Sequence, residues 1–208
     1  MRDVHVTDAT QSDRCLPADY AARVLVILHG WRGSEPEHWQ SRLADRLPDV
    51  RYPRLPEPDR PRRVAWLATL EDTLAGLPDG GFDVVCHSLA VPLWLHRAVG
   101  PEAAARPRAG RVLLVAPPSP ALTEPELATF LPPPLDPAAV GRAAGRTELV
   151  CAEDDPYCPE GAATAYGRPL GVPTTVVPGG GHLNVAAGYG PWPAVERWAR
   201  TPGAAFTV

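Results

Sequence analysis

A serine in a short turn is the most informative residue of the sequence. The apolar, strand-like run Phe82–Cys86 (FDVVC) ends just before Ser88, and a helix-like stretch follows. A serine between a strand and a helix is typical of a nucleophile elbow, in which a strained turn exposes the hydroxyl above the sheet. The usual G-x-S-x-G pattern is weakened, because Cys86 and Ala90 occupy the glycine positions. The alternative is that Ser88 only caps the helix.

Two further polar segments follow strand-like runs. The acidic turn Glu153–Asp155 comes after Glu148–Ala152 (ELVCA), and His182 comes after Thr174–Val177 (TTVV) and three glycines. A carboxylate in this position orients a histidine that acts as general base. The alternatives are that the acidic residues only form a turn or cap a helix, and that the histidine is structural. The chain order serine, acid, histidine matches α/β-hydrolases and differs from chymotrypsin and subtilisin.

The loop after the first strand-like run supplies a candidate oxyanion hole. The run is Arg23–Leu28 (RVLVIL), and the loop that follows reads HGWRGS. Backbone N–H groups in such a loop stabilise the negative charge that develops on a carbonyl oxygen. The best candidate donors are the amides of Trp31 and of Leu89, the residue after the serine. His29 and His87 are expected to make structural contacts rather than to act as bases.

The elements that position these residues alternate between short strands and helices. The other strand-like runs are Val50–Tyr52 and Arg111–Ala116, and the helix candidates are Glu37–Leu47, Pro61–Leu77, Leu89–Val99, Pro159–Gly167 and Pro191–Arg200. Strands without alternation of polar residues are buried on both faces, and their alternation with helices indicates βαβ units. We predict an α/β fold with a mainly parallel sheet of about six strands and helices on both faces. The candidate residues would gather at the carboxyl ends of the strands.

Length and composition fit a single globular domain. The 208 residues are 45% hydrophobic and 21% charged, which excludes a disordered chain and a coiled coil. The net charge of -4 predicts no nucleic-acid partner. Lysine is absent, which excludes a Schiff-base mechanism, a Ser–Lys dyad and a Walker P-loop. The apolar runs are too short to cross a bilayer and no signal peptide is visible, so we expect a cytoplasmic protein with no membrane partner.

Three segments differ from the alternating pattern. Residues 1–22 are predicted to form a loosely ordered N-terminal arm, with a dimerisation or lid role as the alternative. The α/β domain is predicted over 23–200, and 201–208 form a C-terminal tail. The proline-rich stretch Ala116–Pro137 excludes a long helix and predicts a stiff loop with one short helix at Glu124–Phe130. This loop forms one wall of the pocket or is only a connection.

Five sequence segments carry a family resemblance. They are, in chain order, HGWRGSEPEHWQSRL, CHSLA, APPSP, AEDDPYCP and GGGHLNVAAGYGPWP. Over about Val24 to Trp198, the chain resembles the small serine-hydrolase family of the α/β-hydrolase superfamily that includes retinoblastoma-binding protein 9 and bacterial relatives. The family's elbow normally reads A/G-H-S-L-G, from which Cys86 and Ala90 depart.

The resemblance assigns a role to each candidate residue. It implies Ser88 as the nucleophile, Asp155 as the acid partner and His182 as the base. Asp155 is selected over Asp154 because it precedes Pro159 with the spacing at which the family's catalytic aspartate precedes a proline.

These features predict a serine hydrolase that cleaves a small ester, thioester or amide through an acyl-enzyme. The family lacks a large cap domain, so an open site is expected, with Trp31, Phe130 and Trp192 as candidate substrate-binding residues. The expected partner is a small-molecule acyl substrate. We expect the protein to be a monomer or a homodimer. Neither an organic cofactor nor a metal is expected, since no cysteine or histidine spacing suggests a metal site. The alternatives are a triad-bearing acyl transferase, cyclase or lyase of metabolite tailoring, and a low-activity binding protein on a hydrolase scaffold.

Overall fold

The computed structural model describes residues 23–208 and shows one six-stranded sheet in that part of the chain. The strands are β1 Val24–Leu28, β2 Val50–Arg51, β3 Phe82–His87, β4 Ala109–Val115, β5 Ala144–Ala152 and β6 Thr174–Val177. Their order is β2-β1-β3-β4-β5-β6, and every neighbouring pair is parallel. The predicted α/β fold with about six mainly parallel strands is confirmed. The predicted arm over residues 1–22 lies outside the described residues.

Six α-helices connect or follow the strands between residues 23 and 208. They are α1 Trp39–Arg46, α2 Arg63–Leu74, α3 Ala90–Val99, α4 Pro137–Ala143, α5 Arg168–Leu170 and α6 Pro193–Arg200. The sequence did not predict α4, although Asp136 caps it by accepting a hydrogen bond from the Ala139 N–H. The helix predicted at Glu124–Phe130 is only a 3-10 turn at Pro125–Leu127. The one predicted at Pro159–Gly167 is a loop followed by a π turn at Ala163–Gly167, before α5.

Helices cover both faces of the sheet, as predicted. Successive residues of β1 point to opposite faces, so Val26 joins one apolar cluster and Ile27 the other. The first cluster contains Trp66 of α2 and Trp94 of α3, and α4 and α5 also contribute to it. The second contains residues of α1 and α6. This two-sided burial explains why the strands read as continuous apolar runs rather than as alternating patterns.

The C-terminal residues pack against the domain. The Phe206 side chain is buried, and its ring lies edge-on to Trp192 with centroids 5.8 Å apart. The segment predicted as a tail therefore contributes to the second apolar cluster. No helix within residues 23–208 is long and apolar enough to cross a membrane.

Candidate active site

Ser88 lies in the turn between β3 and α3. Its φ angle is 55°, in the left-handed region that non-glycine residues seldom occupy. Its N–H donates to the Val115 carbonyl at 2.9 Å, which ties the turn to the neighbouring strand β4. A strained serine between a strand and a helix is the local geometry of a nucleophile elbow.

The two residues that replace glycine around Ser88 are both buried. Cys86 and Ala90 have no exposed surface, so the turn forms with both side chains packed inside. Burial raises the pKa of the Cys86 thiol, which keeps this sulfur protonated and unreactive.

Gly30 allows the loop after β1 to approach the serine closely. A Cβ atom at this position would lie 2.7 Å from the Ser88 Cβ and 3.2 Å from its Oγ. The first distance is too short for two carbon atoms, so a side chain at position 30 would displace the hydroxyl or the loop. The glycine is therefore needed for a backbone approach, not for its flexibility.

Hydrogen bonds join Ser88, His182 and Asp155 into a chain. The Ser88 Oγ lies 3.0 Å from His182 Nε2, and His182 Nδ1 lies 3.0 and 2.9 Å from the two Asp155 carboxylate oxygens. Because a carboxylate only accepts hydrogen bonds, the imidazole carries its proton on Nδ1. The unprotonated Nε2 then accepts the serine hydroxyl proton. This arrangement is suited to activating a serine as a nucleophile.

The two neighbouring aspartates contact different groups. Asp155 is buried, and its Oδ1 also accepts a hydrogen bond from the Tyr157 N–H at 2.9 Å. Asp154 is exposed and accepts from the Gly181 N–H at 2.9 Å. Asp154 thus holds the glycine-rich loop, whereas Asp155 faces the imidazole of His182. The Tyr157 ring covers that imidazole, with centroids 4.5 Å apart.

Two backbone amides near Ser88 are available to a substrate. In the described part of the chain, neither the Trp31 N–H nor the Leu89 N–H donates to a protein acceptor, and both residues line the cavity next to Ser88. The Trp31 loop is fixed by two bonds. The indole Nε1 donates to the Asp59 carbonyl at 3.1 Å, and the Arg32 N–H donates to the Pro58 carbonyl at 2.9 Å. Pre-positioned amides of this kind stabilise an oxyanion with little reorganisation.

The cavity beside Ser88 has a volume of about 210 Å³. Its apolar wall comes from Pro118, Leu122 and Leu127, so the proline-rich loop forms one side of the pocket. Most of the other lining residues are polar or aromatic, among them Trp31, His38, His87, Tyr157 and His182.

Sequence comparison identifies the family. A family model described as serine hydrolase matches residues 25–200. The chain belongs to this serine-hydrolase family. The resemblance inferred from the sequence is thereby confirmed, and the protein is a hydrolase with the α/β-hydrolase fold. No relative was found among curated proteins.

Solved structures share the fold of this serine hydrolase. The ydeN gene product of Bacillus subtilis is 23% identical, with a TM-score of 0.70 over 86% of this chain and 97% of that one. A protein of Pectobacterium atrosepticum described as a YdeN-like hydrolase is 24% identical, with a TM-score of 0.68 over 85% and 89%. The RedJ thioesterase of Streptomyces coelicolor is 18% identical, with a TM-score of 0.53 over 87% and 89%.

Two of the predicted substrate-binding residues lie elsewhere in this serine hydrolase. Phe130 is fully buried and packs edge-on against Trp66, with centroids 5.2 Å apart. Trp192 packs against Trp39 at 5.4 Å on the opposite face of the sheet. Neither lines the cavity beside Ser88, whereas Trp31 does. Large aromatic rings contribute most to stability when they are buried, and these two rings fill the apolar clusters instead of the pocket.

Two further histidines contribute to the cavity wall of the hydrolase. The ring centroids of His38 and His87 are 5.0 Å apart, and those of His87 and His182 are also 5.0 Å apart. The His87 Nε2–H donates to the His182 backbone carbonyl at 3.1 Å, the kind of structural contact expected for His87. Burial lowers the pKa of His38 to about 4, and burial lowers that of His87 well below its usual value, so both rings are neutral near pH 7.

Sequence reasoning assigned no role to His38, although it lies in the HGWRGSEPEHWQSRL segment. His29, expected to pack within its loop, accepts from the Leu55 N–H at 3.2 Å with Nε2 and donates to the Gly30 carbonyl at 2.8 Å with Nδ1. Among residues 23–208, no group of three or more histidine, cysteine, aspartate or glutamate side chains is placed to hold a metal ion.

Proposed function

We propose that this hydrolase cleaves small esters, thioesters or amides through a covalent acyl-enzyme on Ser88. The observation that carries the proposal is the hydrogen-bonded chain from the Ser88 hydroxyl through the His182 imidazole to the Asp155 carboxylate. In the first step, the Ser88 Oγ attacks the substrate carbonyl carbon and its proton passes to His182 Nε2. Asp155 holds the ring in the required tautomer and stabilises the imidazolium that forms.

The oxyanion forms when the carbonyl double bond opens. We assign the amides of Trp31 and Leu89 to this oxygen, because both line the cavity at the serine. The tetrahedral intermediate then collapses, the bond to the leaving group breaks, and His182 Nε2 returns its proton to the departing oxygen, sulfur or nitrogen. The acyl group remains as an ester on Ser88.

Water completes the cycle by the same route. His182 Nε2 takes a proton from the water as its oxygen adds to the acyl carbon. The bond between the acyl carbon and Ser88 Oγ then breaks, His182 Nε2 returns the proton to Oγ, and the carboxylic acid is released. The cavity volume of about 210 Å³ favours a small acyl group, and the wall of Pro118, Leu122 and Leu127 favours an apolar portion. A thioesterase among the proteins of the same fold supports including thioesters.

The decisive experiment is labelling with a fluorophosphonate probe, followed by mass mapping of the adduct. We expect one adduct on Ser88 in the wild type, none in Ser88→Ala and slower labelling in His182→Ala. Hydrolysis of short-chain aryl esters should fall at least about 10⁴-fold in Ser88→Ala. Ser119→Ala is the matched control, because the Ser119 hydroxyl is buried and donates to Glu160 at 2.5 Å. A folded wild-type protein that stays unlabelled would contradict the proposal.

A further inference from the structure

His38 combines a helix cap with an open ring nitrogen. It is the N-cap residue of α1, and its Nδ1 accepts a hydrogen bond from the Gln40 N–H at 3.2 Å. The residue is only 3% exposed. Because Nδ1 accepts a hydrogen bond, it carries no proton, and the hydrogen of the neutral ring must be on Nε2. His38 therefore presents a donor with a fixed tautomer.

The Nε2–H donor of His38 is not used inside the protein. No acceptor for it lies among residues 23–208. The Nε2 atom is also not completely enclosed by those residues, so it remains accessible. His38 lines the cavity that also contains Ser88 and His182. We therefore infer that the accessible Nε2–H faces this cavity.

Nearby groups are already committed to other bonds. The Gln40 Oε1 accepts from the Ser34 hydroxyl at 2.8 Å, and the Gln40 amide nitrogen donates to the Leu28 carbonyl at 2.9 Å. The His87 Nε2–H donates to the His182 carbonyl. A donor that faces the cavity is hydrated when no ligand is bound, so a ligand that supplies an acceptor gains the net free energy of one neutral hydrogen bond.

We propose that His38 is a specificity-determining residue whose Nε2–H donates to an oxygen of the substrate, a few bonds away from the scissile carbonyl. The His87 ring contacts both His38 and His182, with ring centroids 5.0 Å apart in each pair, so the donor lies in the same part of the cavity as the general base. The preferred substrate class is thus a small ester or thioester that carries an ether, carbonyl or hydroxyl oxygen near the reacting group. This inference rests on the proposed function of Ser88.

The test compares esters that differ by one oxygen. Aryl esters of methoxyacetic and 3-methoxypropionic acid are paired with those of butyric and pentanoic acid, in which a methylene replaces the ether oxygen. A second set places the same replacement in the alcohol part of an acetate ester. For each pair, kcat/KM is divided by the rate of alkaline hydrolysis, which removes differences in intrinsic reactivity.

Two variants separate the donor from the cap. In His38→Asn, the side-chain oxygen replaces Nδ1 as the cap, but the donor in the cavity is lost. In His38→Gln, the amide nitrogen reaches the position of Nε2, but the cap is lost. A purely structural role for His38 predicts that His38→Gln is the more damaged variant in every assay. A substrate contact predicts that only His38→Asn loses discrimination between ether and alkyl esters.

For at least one ether position, we expect the corrected kcat/KM of the wild type to be about fivefold to tenfold higher for the ether ester than for the alkyl ester. This ratio corresponds to the net free energy of one neutral hydrogen bond. The preference should disappear in His38→Asn and persist in His38→Gln, which we expect to melt at a lower temperature. A wild-type preference within twofold for all pairs would overturn the inference, and this measurement needs no variant. So would a preference that survives in His38→Asn.

The proposed function is tested separately. If Ser88→Ala loses all hydrolysis while the wild type shows no preference between ether and alkyl esters, the inference about His38 fails and the proposed function stands. Full hydrolysis in Ser88→Ala would instead remove the proposed function.

Discussion

Two buried polar clusters lie at opposite ends of the strands. At the carboxyl ends, Ser88, His182 and Asp155 form the hydrogen-bonded chain. Near the starts of β3 and β4, Asp83 and Arg111 form a buried ion pair, with Arg111 Nη2 and Nε at 2.6 and 2.9 Å from Asp83 Oδ2.

The ion pair uses its hydrogen-bonding capacity within the protein. Asp83 Oδ1 accepts from the Arg111 N–H at 2.9 Å and from Arg23 at 3.1 Å. Arg111 also donates to the Thr201 carbonyl at 3.0 Å, and its guanidinium lies 4.2 Å above the Trp198 ring. This cluster therefore anchors the segment that follows α6 to the sheet.

The carboxyl-end cluster is arranged differently. Ser88 has a strained φ angle, and the Trp31 and Leu89 amides have no protein acceptor in residues 23–208. Most buried polar groups of a folded protein are paired, so these two amides are unusual, and the proposed function assigns them to the substrate oxyanion. The two ends of one sheet thus differ: the buried polar groups at one end are paired within the protein, and those at the other end are the groups to which we assign the reaction.

The first prediction concerns the loss of activity when the cluster at the carboxyl ends is altered. In Asp155→Asn, the imidazole loses its carboxylate partner and the favoured tautomer, so kcat for ester hydrolysis should fall about 10⁴-fold. The matched control is Asp154→Asn, which retains an oxygen to accept from the Gly181 N–H. We expect the control to stay within about threefold of the wild type, because ordinary surface substitutions change little. Equal losses in both variants would contradict the different tasks of the two aspartates.

The second prediction concerns stability at the other end. Asp83→Asn leaves the buried Arg111 without its counter-charge, so the free energy of unfolding should fall by about 3–5 kcal/mol. Activity per folded molecule should be unchanged. Urea unfolding and active-site titration measure the two quantities separately. Glu57→Gln is the control, because its ion pair with Arg62 is exposed and should contribute less than about 1 kcal/mol.

The third prediction tests the close approach at the serine. Gly30→Ala places a methyl group against Ser88, and kcat should fall about 100-fold, as expected for a misplaced reacting group. Gly141→Ala is the control, since a Cβ there meets no atom within 4 Å and the residue lies in α4. A fully active Gly30→Ala would show that the loop and the serine are not tightly coupled.

The last prediction is a pH dependence of stability that comes from the buried ring of His38. Burial lowers the pKa of His38 from 6.5 to about 4 in the folded protein, so the unfolded chain binds a proton that the folded chain does not. The contribution of His38 is complete above pH 6.5 and is lost as the pH falls towards 4. The slope should be about 1.4 kcal/mol per pH unit for each such imidazole. Urea unfolding from pH 7 to 4.5 should show a smaller slope in His38→Asn than in the wild type, and equal slopes would contradict the buried neutral ring.

The order of the strands along the chain, and the edge of the sheet where the polar segments lie, could be predicted from the sequence. Short apolar runs alternating with helices indicate a parallel sheet, and right-handed βαβ connections bring the carboxyl ends of the strands to one edge. That rule predicts that the serine turn after β3, the acidic turn after β5 and the histidine loop after β6 lie at the same edge. The missed helix α4 had local signals in Asp136 and Pro137, but the surrounding prolines obscured them.

Which side chains meet could not be predicted from the sequence, because it depends on how the segments pack. Phe130 and Trp192 resemble pocket residues in the sequence, yet they fill apolar clusters on opposite faces of the sheet. His38 gives no sequence signal for its open donor, because its tautomer depends on burial and on the Gln40 amide. Local periodicity reports how a segment folds, whereas the neighbours of a side chain come from packing between segments distant in the chain.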